Sequence, residues 1–190
     1  MLNRIFAFFI LVISSPIFIL LEDGFPVFFT QKRVGFNYSF FNIYKFRTMK
    51  KNTPNVATHL LENPAQYVLK IGGLLRKFSL DELPNLVNII KGEMVFVGPR
   101  PALFNQDDLM ALRVAAGVDK LKPGITGWAQ VNGRNAISWE QKFRYDIEYV
   151  EKQSFLLDVK ILWMTFINVI QRKGINADWH ATMDEFKGTN

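Results

Sequence analysis

Residues 79–85 read SLDELPN, and where a helix begins in this stretch governs the reading of everything around it. Ser79 and Glu82 have the S-x-x-E spacing of a capping box, and acids in a first helical turn complement the positive end of the helix dipole. Pro84 argues against a start at Ser79. It would then be the fifth helical residue, lacking a needed N–H and pressing its ring on the carbonyl of Leu80. With Asp81 as the cap, Pro84 falls among first-turn positions whose N–H groups have no intrahelical partner. The sequence therefore predicts a helix through Leu83–Ile90, stopped by Gly92, with Asp81 and Glu82 at its positive end. A carboxylate is stabilised there, and so is a phosphate. The two acids are either a cap or a reaction centre.

The chain around them has 190 residues, the size of one domain with at most an appendage. Its formal charge of +6 suits nucleic acid, acidic lipid or nucleotide phosphates without choosing among them. The absence of cysteine excludes disulfides, thiolate metal sites and thiolate nucleophiles, and two histidines are too few for a multi-histidine zinc site.

From Ile5 to Leu21 the chain is uncharged, IFAFFILVISSPIFILL, with Arg4 before it and Glu22 and Asp23 after it. As a straight helix this run reaches about 25 Å, short of the roughly 30 Å hydrocarbon thickness. Ser14, Ser15 and Pro16 interrupt it. Pro16 leaves the Val12 carbonyl without its helical donor, which a serine hydroxyl can replace inside lipid. A helix that enters one leaflet, bends at Ser15-Pro16 and returns accounts for both the length and the proline. A short spanning helix, a signal peptide and a buried core helix are the other readings, and the signal peptide lacks a small-residue cleavage site.

Further along, residues 26–31 and 40–48 read as two strands of a short hairpin, separated by Gly35, Asn37 and Ser39. Residues 50–65, polar and with Pro54 and Pro64, read as a loop or an ordered lid. Helices are expected at Ile71–Phe78, Asp107–Ala116, Ser138–Lys152 and Asp158–Arg172. The last is apolar through ILWMTFINVI, too short to span a bilayer, and so lies in the core or along an interface, with Trp163 a candidate belt residue. Between them, KPGITGWAQVNGRN reads as a glycine-rich loop.

Several residues have a chemical and a plain reading. Arg100 sits between two prolines in VGPRP, on a stiff loop suited to bidentate phosphate binding or simply to a surface turn. Lys45 and Arg47 alternate along a strand and share a face, either solvated or a cationic wall for phosphates. Arg76 and Lys77 precede Asp81 closely enough to pair with the acids or with a substrate. Gln130 and Asn132 can read a base edge or cap backbone, and Asn132-Gly133-Arg134 is a turn first and an anion contact second. Arg144, Asp146, Glu148 and Glu151 read as a solvated helical face with internal ion pairs.

Taken in order, an apolar segment with a Ser-Pro break, KFRTM, SLDELPN, KGEMVFVGPRP and KPGITGWAQVNGRN closely resemble the bacterial sugar transferase family, the monotopic phosphoglycosyl transferases. The resemblance runs over essentially the whole chain, and NAISW and the tail WHATMDEFKGTN look most like its small single-domain members. It implies an α+β fold: a compact, mostly helical domain with a small β-hairpin over residues 23–190, fed by a re-entrant, monotopic membrane helix over 1–22. It implies transfer of a sugar 1-phosphate from a UDP-sugar, an N-acetylated amino sugar in the nearest members, to undecaprenyl phosphate. The setting implied is the cytoplasmic face of the bacterial inner membrane, with Mg2+ as cofactor.

Carried onto this sequence, the resemblance makes Asp81 the nucleophile, Glu82 its partner at Mg2+, Arg100 a phosphate or nucleotide contact, and Ser15-Pro16 the membrane break. Lys45, Arg47, Arg76, Gln130, Asn132 and Arg134 are the further candidates for substrate binding. Three departures stand out: the apolar runs beside Ser15-Pro16 are short, Ala7 replaces an aspartate of the RIFD opening, and Val95 follows GEM where a small polar residue is usual. The rival reading is a membrane-associated protein that binds nucleotide or acidic lipid without turnover. Nucleic-acid binding is disfavoured by an apolar anchor followed by charge of mixed sign.

Overall fold

The computed structural model describes residues 2–14, 24, 26–54, 63–133 and 137–171. Helix α1 (Leu2–Ser14) has 13 residues, about 20 Å of helix. Among the described residues no helix is long and apolar enough to cross a membrane. One side of α1 packs on α3 (Leu86–Lys91) through Ala7, which is fully buried in a cluster with Phe41, Ile43, Leu86, Ile89 and Met94. An aspartate at position 7 would be a carboxylate among hydrocarbon, so alanine suits this packing. The other side leaves Phe6, Phe8 and Phe9 more than half exposed. The expected break at Ser15 and Pro16 and the return run to Leu21 lie outside the described residues.

Strands β1 (Phe28–Val34) and β2 (Phe40–Phe46) form the hairpin, antiparallel from Phe28↔Phe46 to Val34↔Phe40. The first strand begins later than expected because Pro26 has no N–H for a ladder. It continues through Val34, whose N–H bonds the Ala102 carbonyl at 3.0 Å. Helix α2 (Lys70–Lys77) lies so close to the end of β2 that a Cβ on Gly72 would overlap the Thr48 carbonyl.

The stretch that follows corrects the expectation for SLDELPN. Asp81 is not an N-cap, and no side chain caps a helix there. Ser79 takes a left-handed conformation (φ 55°, ψ 22°), Leu80–Asn85 wind as 3-10 turns, and regular α-helix starts only at Leu86. Pro84 delays the start: its missing N–H and its restriction on the preceding residue are tolerated in tight i to i+3 turns but not in a regular helix. Gly92, at φ 83°, ends α3 as expected.

A second, parallel pair was not foreseen: β3 (Val95–Val97) beside β4 (Gly124–Thr126), in register Val95↔Gly124 and Val97↔Thr126. Around it lie α4 (Asp107–Ala115), the single turn α5 (Trp128–Val131), α6 (Trp139–Lys152) and α7 (Phe155–Gln171). Ser138 caps α6, accepting from Gln141 N at 3.2 Å. Helix α7 divides its apolar residues. Ile161 is buried with Val97, Val131 and Tyr149, whereas Phe155 is 80% exposed, Leu156 79% and Trp163 62%. The helix is thus part core and part open apolar surface.

Candidate active site

Three elements meet at Glu82. Strand β2 brings Lys45, the 3-10 turns bring Asp81 and Glu82, and the loop after β3 brings Arg100. Lys45 Nζ lies 2.7 Å and Arg100 Nη2 2.8 Å from the same atom, Glu82 Oε1. Burial opposes the Glu82 charge, but Arg100 and then Lys45 outweigh it and hold this carboxyl far below the usual carboxylate range. Asp81 goes the other way. Burial first, then the Glu82 charge, push it up from 3.8 to about 6, against the pull of Lys45, Arg76 and Arg100. Among the described residues none donates a hydrogen bond to the Asp81 carboxyl. Adjacent acids are thus split into one locked anion and one loosely held group, the pattern of a site with two distinct carboxylate roles.

The loop that carries Arg100 is fixed through its backbone. The Pro99 carbonyl accepts from Gly124 N at 3.0 Å, that of Arg100 from Arg113 Nη1 at 2.8 Å, and that of Pro101 from Arg33 Nη1 at 3.2 Å. Arg113 is itself anchored to Asp146, 2.7 Å from Oδ2, in a buried ion pair. Asp146 therefore does not belong to a solvated face, as its helical spacing suggested; Glu140–Arg144 and Glu148–Lys152 are the exposed i,i+4 pairs of α6. Two prolines and four held carbonyls (Ala102 included) leave the backbone that carries Arg100 little to lose on ordering. A shallow cleft opens here, lined by Arg33, Lys45, Glu82, Asn85 and Arg100.

The profile that describes bacterial sugar transferases matches residues 1–172. This chain belongs to the bacterial sugar transferase family. It is 43% identical over 180 residues to the uncharacterized sugar transferase EpsL of Bacillus subtilis (strain 168), covering 95% of this chain and 88% of that one. It is 37% identical to the exopolysaccharide production protein ExoY of Rhizobium meliloti (strain 1021), over 86% of this chain and 81% of the relative. The undecaprenyl-phosphate galactose phosphotransferase of Salmonella typhimurium is also 37% identical, over 87% of this chain but only 39% of that longer protein.

Within this transferase the other sequence candidates are sorted by what they touch. Arg76 Nε donates to Thr48 Oγ1 at 2.8 Å and contributes positive charge toward Asp81. Arg47 is turned away, donating to the Gly24 carbonyl at 2.6 Å, so it does not share the Glu82 site with Lys45. Regular strand ends at Phe46, and the alternation that paired Lys45 with Arg47 ends with it. Gln130 donates to the Ile125 carbonyl and Asn132 to that of Trp128, both at backbone-capping distances of 2.9 and 2.8 Å. Arg134 lies outside the described residues. Arg33, Asn85 and Arg113 were missed, and Asp146 was assigned to a solvated face. Only Arg33 carried a signal, as a charge within an otherwise strand-like run.

Among the described residues no three acidic or histidine side chains gather into a metal cage. Magnesium held against a diphosphate needs only one or two carboxylates, the substrate oxygens and waters supplying the rest. Glu82 fits that demand. Both hydrogen bonds it accepts go to Oε1, leaving Oε2 without a donor among the described residues. Asn85 Oδ1, buried in the same cleft with no hydrogen-bond partner among them, is a further oxygen of suitable kind.

Proposed function

We propose that this chain is a phosphoglycosyl transferase that moves a sugar 1-phosphate from a UDP-sugar to undecaprenyl phosphate through a covalent intermediate on Asp81. The observation that carries the reading is the divided acid pair. Glu82 is locked by two cations, while Asp81 beside it is partly desolvated and free of hydrogen-bond donors among the described residues. With its proton lost above about pH 6, Asp81 is a carboxylate at neutral pH, poorly solvated and therefore nucleophilic. Family membership and the relatives named for undecaprenyl-phosphate sugar transfer support the same reaction class.

In the first step an Asp81 carboxylate oxygen bonds the β-phosphorus of the donor. The bond from that phosphorus to the bridging oxygen breaks, and UMP leaves with the electron pair. In the second, a phosphate oxygen of undecaprenyl phosphate attacks the same phosphorus, giving the lipid diphosphosugar and returning Asp81 as a carboxylate. Arg100 and Lys45 are positioned to neutralise charge on the phosphoryl oxygens, the main task in such a transfer. Glu82, with Asp81 and Asn85 adjacent, is the residue that would hold Mg2+, which supplies charge neutralisation to the diphosphate. Arg113 and Asp146 keep the Arg100 loop in place.

The acceptor is a membrane lipid, so the domain works at a bilayer surface. We assign that surface to the inner membrane's cytoplasmic face, where nucleotide sugars are supplied, with residues 1–22 as a re-entrant anchor and the exposed apolar side of α7 lying at the interface. The transferred sugar is an N-acetylated amino sugar, on the strength of the NAISW and tail motifs. Relatives named for galactose and glucose are longer proteins, of which this chain covers 39% or less. Intact-mass analysis of detergent-solubilised protein with Mg2+ and a panel of UDP-sugars tests the covalent step and the choice of sugar. The expected result is a sugar-phosphate adduct on wild-type protein, strongest with an acetamido sugar, with stoichiometric UMP release and none on Asp81→Asn. Turnover by Asp81→Asn at the wild-type rate would sink the proposal.

A further inference from the structure

The cleft is lined by three cations, Arg33, Lys45 and Arg100, and by one carboxylate, that of Glu82. Lys45 and Arg100 both spend their contact on Glu82 Oε1. Arg33 is the third, and no acidic partner meets it among the described residues. Its terminal nitrogens donate to neutral acceptors, the Pro101 carbonyl and Gln31 Oε1 at 2.5 Å. Its Nε is buried and has no hydrogen-bond partner among those residues. A guanidinium has five N–H donors in a fixed fork, and this one has unused donors in a cleft where positive charge is in excess.

We propose that Arg33 is a substrate-binding residue of this site, its guanidinium acting with that of Arg100 to grip the phosphoryl oxygens of a nucleoside diphosphate. The inference rests on the donor assignment made above and adds a residue to it. Burial and the charge of Arg100, only partly offset by Glu82, lower the Arg33 pKa to about 10, which marks the same excess of positive charge. A phosphate between the two guanidinium groups replaces that repulsion with two attractions. Holding the loop does not require a cation: the neighbouring Ala102 carbonyl is held by the Val34 N–H alone. Strand β1 places the group here because Arg33 forms an isolated antiparallel bridge with Leu103, running the strand alongside the loop that carries Arg100.

The test is calorimetric titration of the full chain in detergent micelles with UDP, with ligand-observed NMR of uridine alongside, on wild type, Arg33→Gln and Arg33→Lys. The expected result for Arg33→Gln is a loss of about 10- to 100-fold in UDP affinity, the range for a hydrogen bond to a charged group. Uridine binding and melting temperature should stay close to wild type. Arg33→Lys, which keeps charge but not the fork, should retain part of the UDP affinity, and it serves as the reading variant if the glutamine form does not fold. Unchanged UDP affinity in a folded variant, or equal losses for uridine and UDP, would overturn the role of Arg33 alone. Wild-type protein that binds no UDP would overturn the donor assignment and this inference with it.

Discussion

Asp81 has opposed effects on chemistry and stability, and this makes it informative. Its folded-state pKa is raised from 3.8 to about 6, so the native state holds the proton more tightly than the unfolded chain. The resulting stabilisation is full below about pH 4 and is lost as pH rises through 6, a cost of about 3 kcal/mol at neutral pH. Asp81→Asn should therefore abolish adduct formation while raising stability at pH 7.5 by about 1–2 kcal/mol, measurable by urea denaturation. In the wild type, kcat/KM for the UDP-sugar should fall about tenfold per pH unit below about pH 6, because only the ionised form attacks. Asp146 behaves differently, although it too is an acid in a buried setting. Burial raises its pKa while Arg113 opposes the shift, and the pair has no exposed face on which to relax. Removing one partner, as in Arg113→Met, should cost about 3–5 kcal/mol; removing both, as in Arg113→Met with Asp146→Leu, should cost less than that single change.

At the scale of elements, the hairpin and the longer helices were legible in the sequence because their signals are local. Aromatic and β-branched runs bounded by Gly35 and Asn37, and an N-cap such as Ser138, act within a few residues. The pair β3–β4 was not legible: each strand is three residues long, and its partner lies across α4. The dyad's setting was half legible. Pro84 rightly argued against a helix from Ser79, but whether the tight turns ended at Asp81 or at Asn85 was decided by packing, since Pro84 and Asn85 are buried. The site followed the same rule: Lys45, Glu82 and Arg100 stood in recognisable motifs, whereas Arg113 and Asp146 join through α4 and α6, 33 residues apart. Contact between α2 and β2 gives a prediction at this scale. Alanine is the better helix former by about 1 kcal/mol, yet Gly72→Ala should destabilise by about 2 kcal/mol or more in thermal or urea unfolding, because its methyl group meets the Thr48 backbone. It should also slow transfer, since Thr48 Oγ1 positions Arg76.

For the molecule as a whole, the largest groups of exposed apolar side chains on helices among the described residues lie on α1, through Phe6, Phe8 and Phe9, and on α7, through Phe155, Leu156, Trp163 and Phe166. Patches of large side chains are uncommon on monomers that meet only water. Replacing Trp163 and Phe166 together by glutamate should lower co-flotation with anionic liposomes at least tenfold, since each large apolar side chain contributes about 1.5–3 kcal/mol on leaving water. Unaltered flotation would remove α7 from the interface. At the other extreme of accessibility, the backbones around Gly98, Gly124 and Gly127 cross so closely that a Cβ on any of the three would collide with main-chain atoms. No rotamer change relieves such a collision. A saturation library scored for folded protein should consequently recover glycine alone at these positions, and inherited changes in sugar preference have to arise at residues that the crossing leaves free to vary.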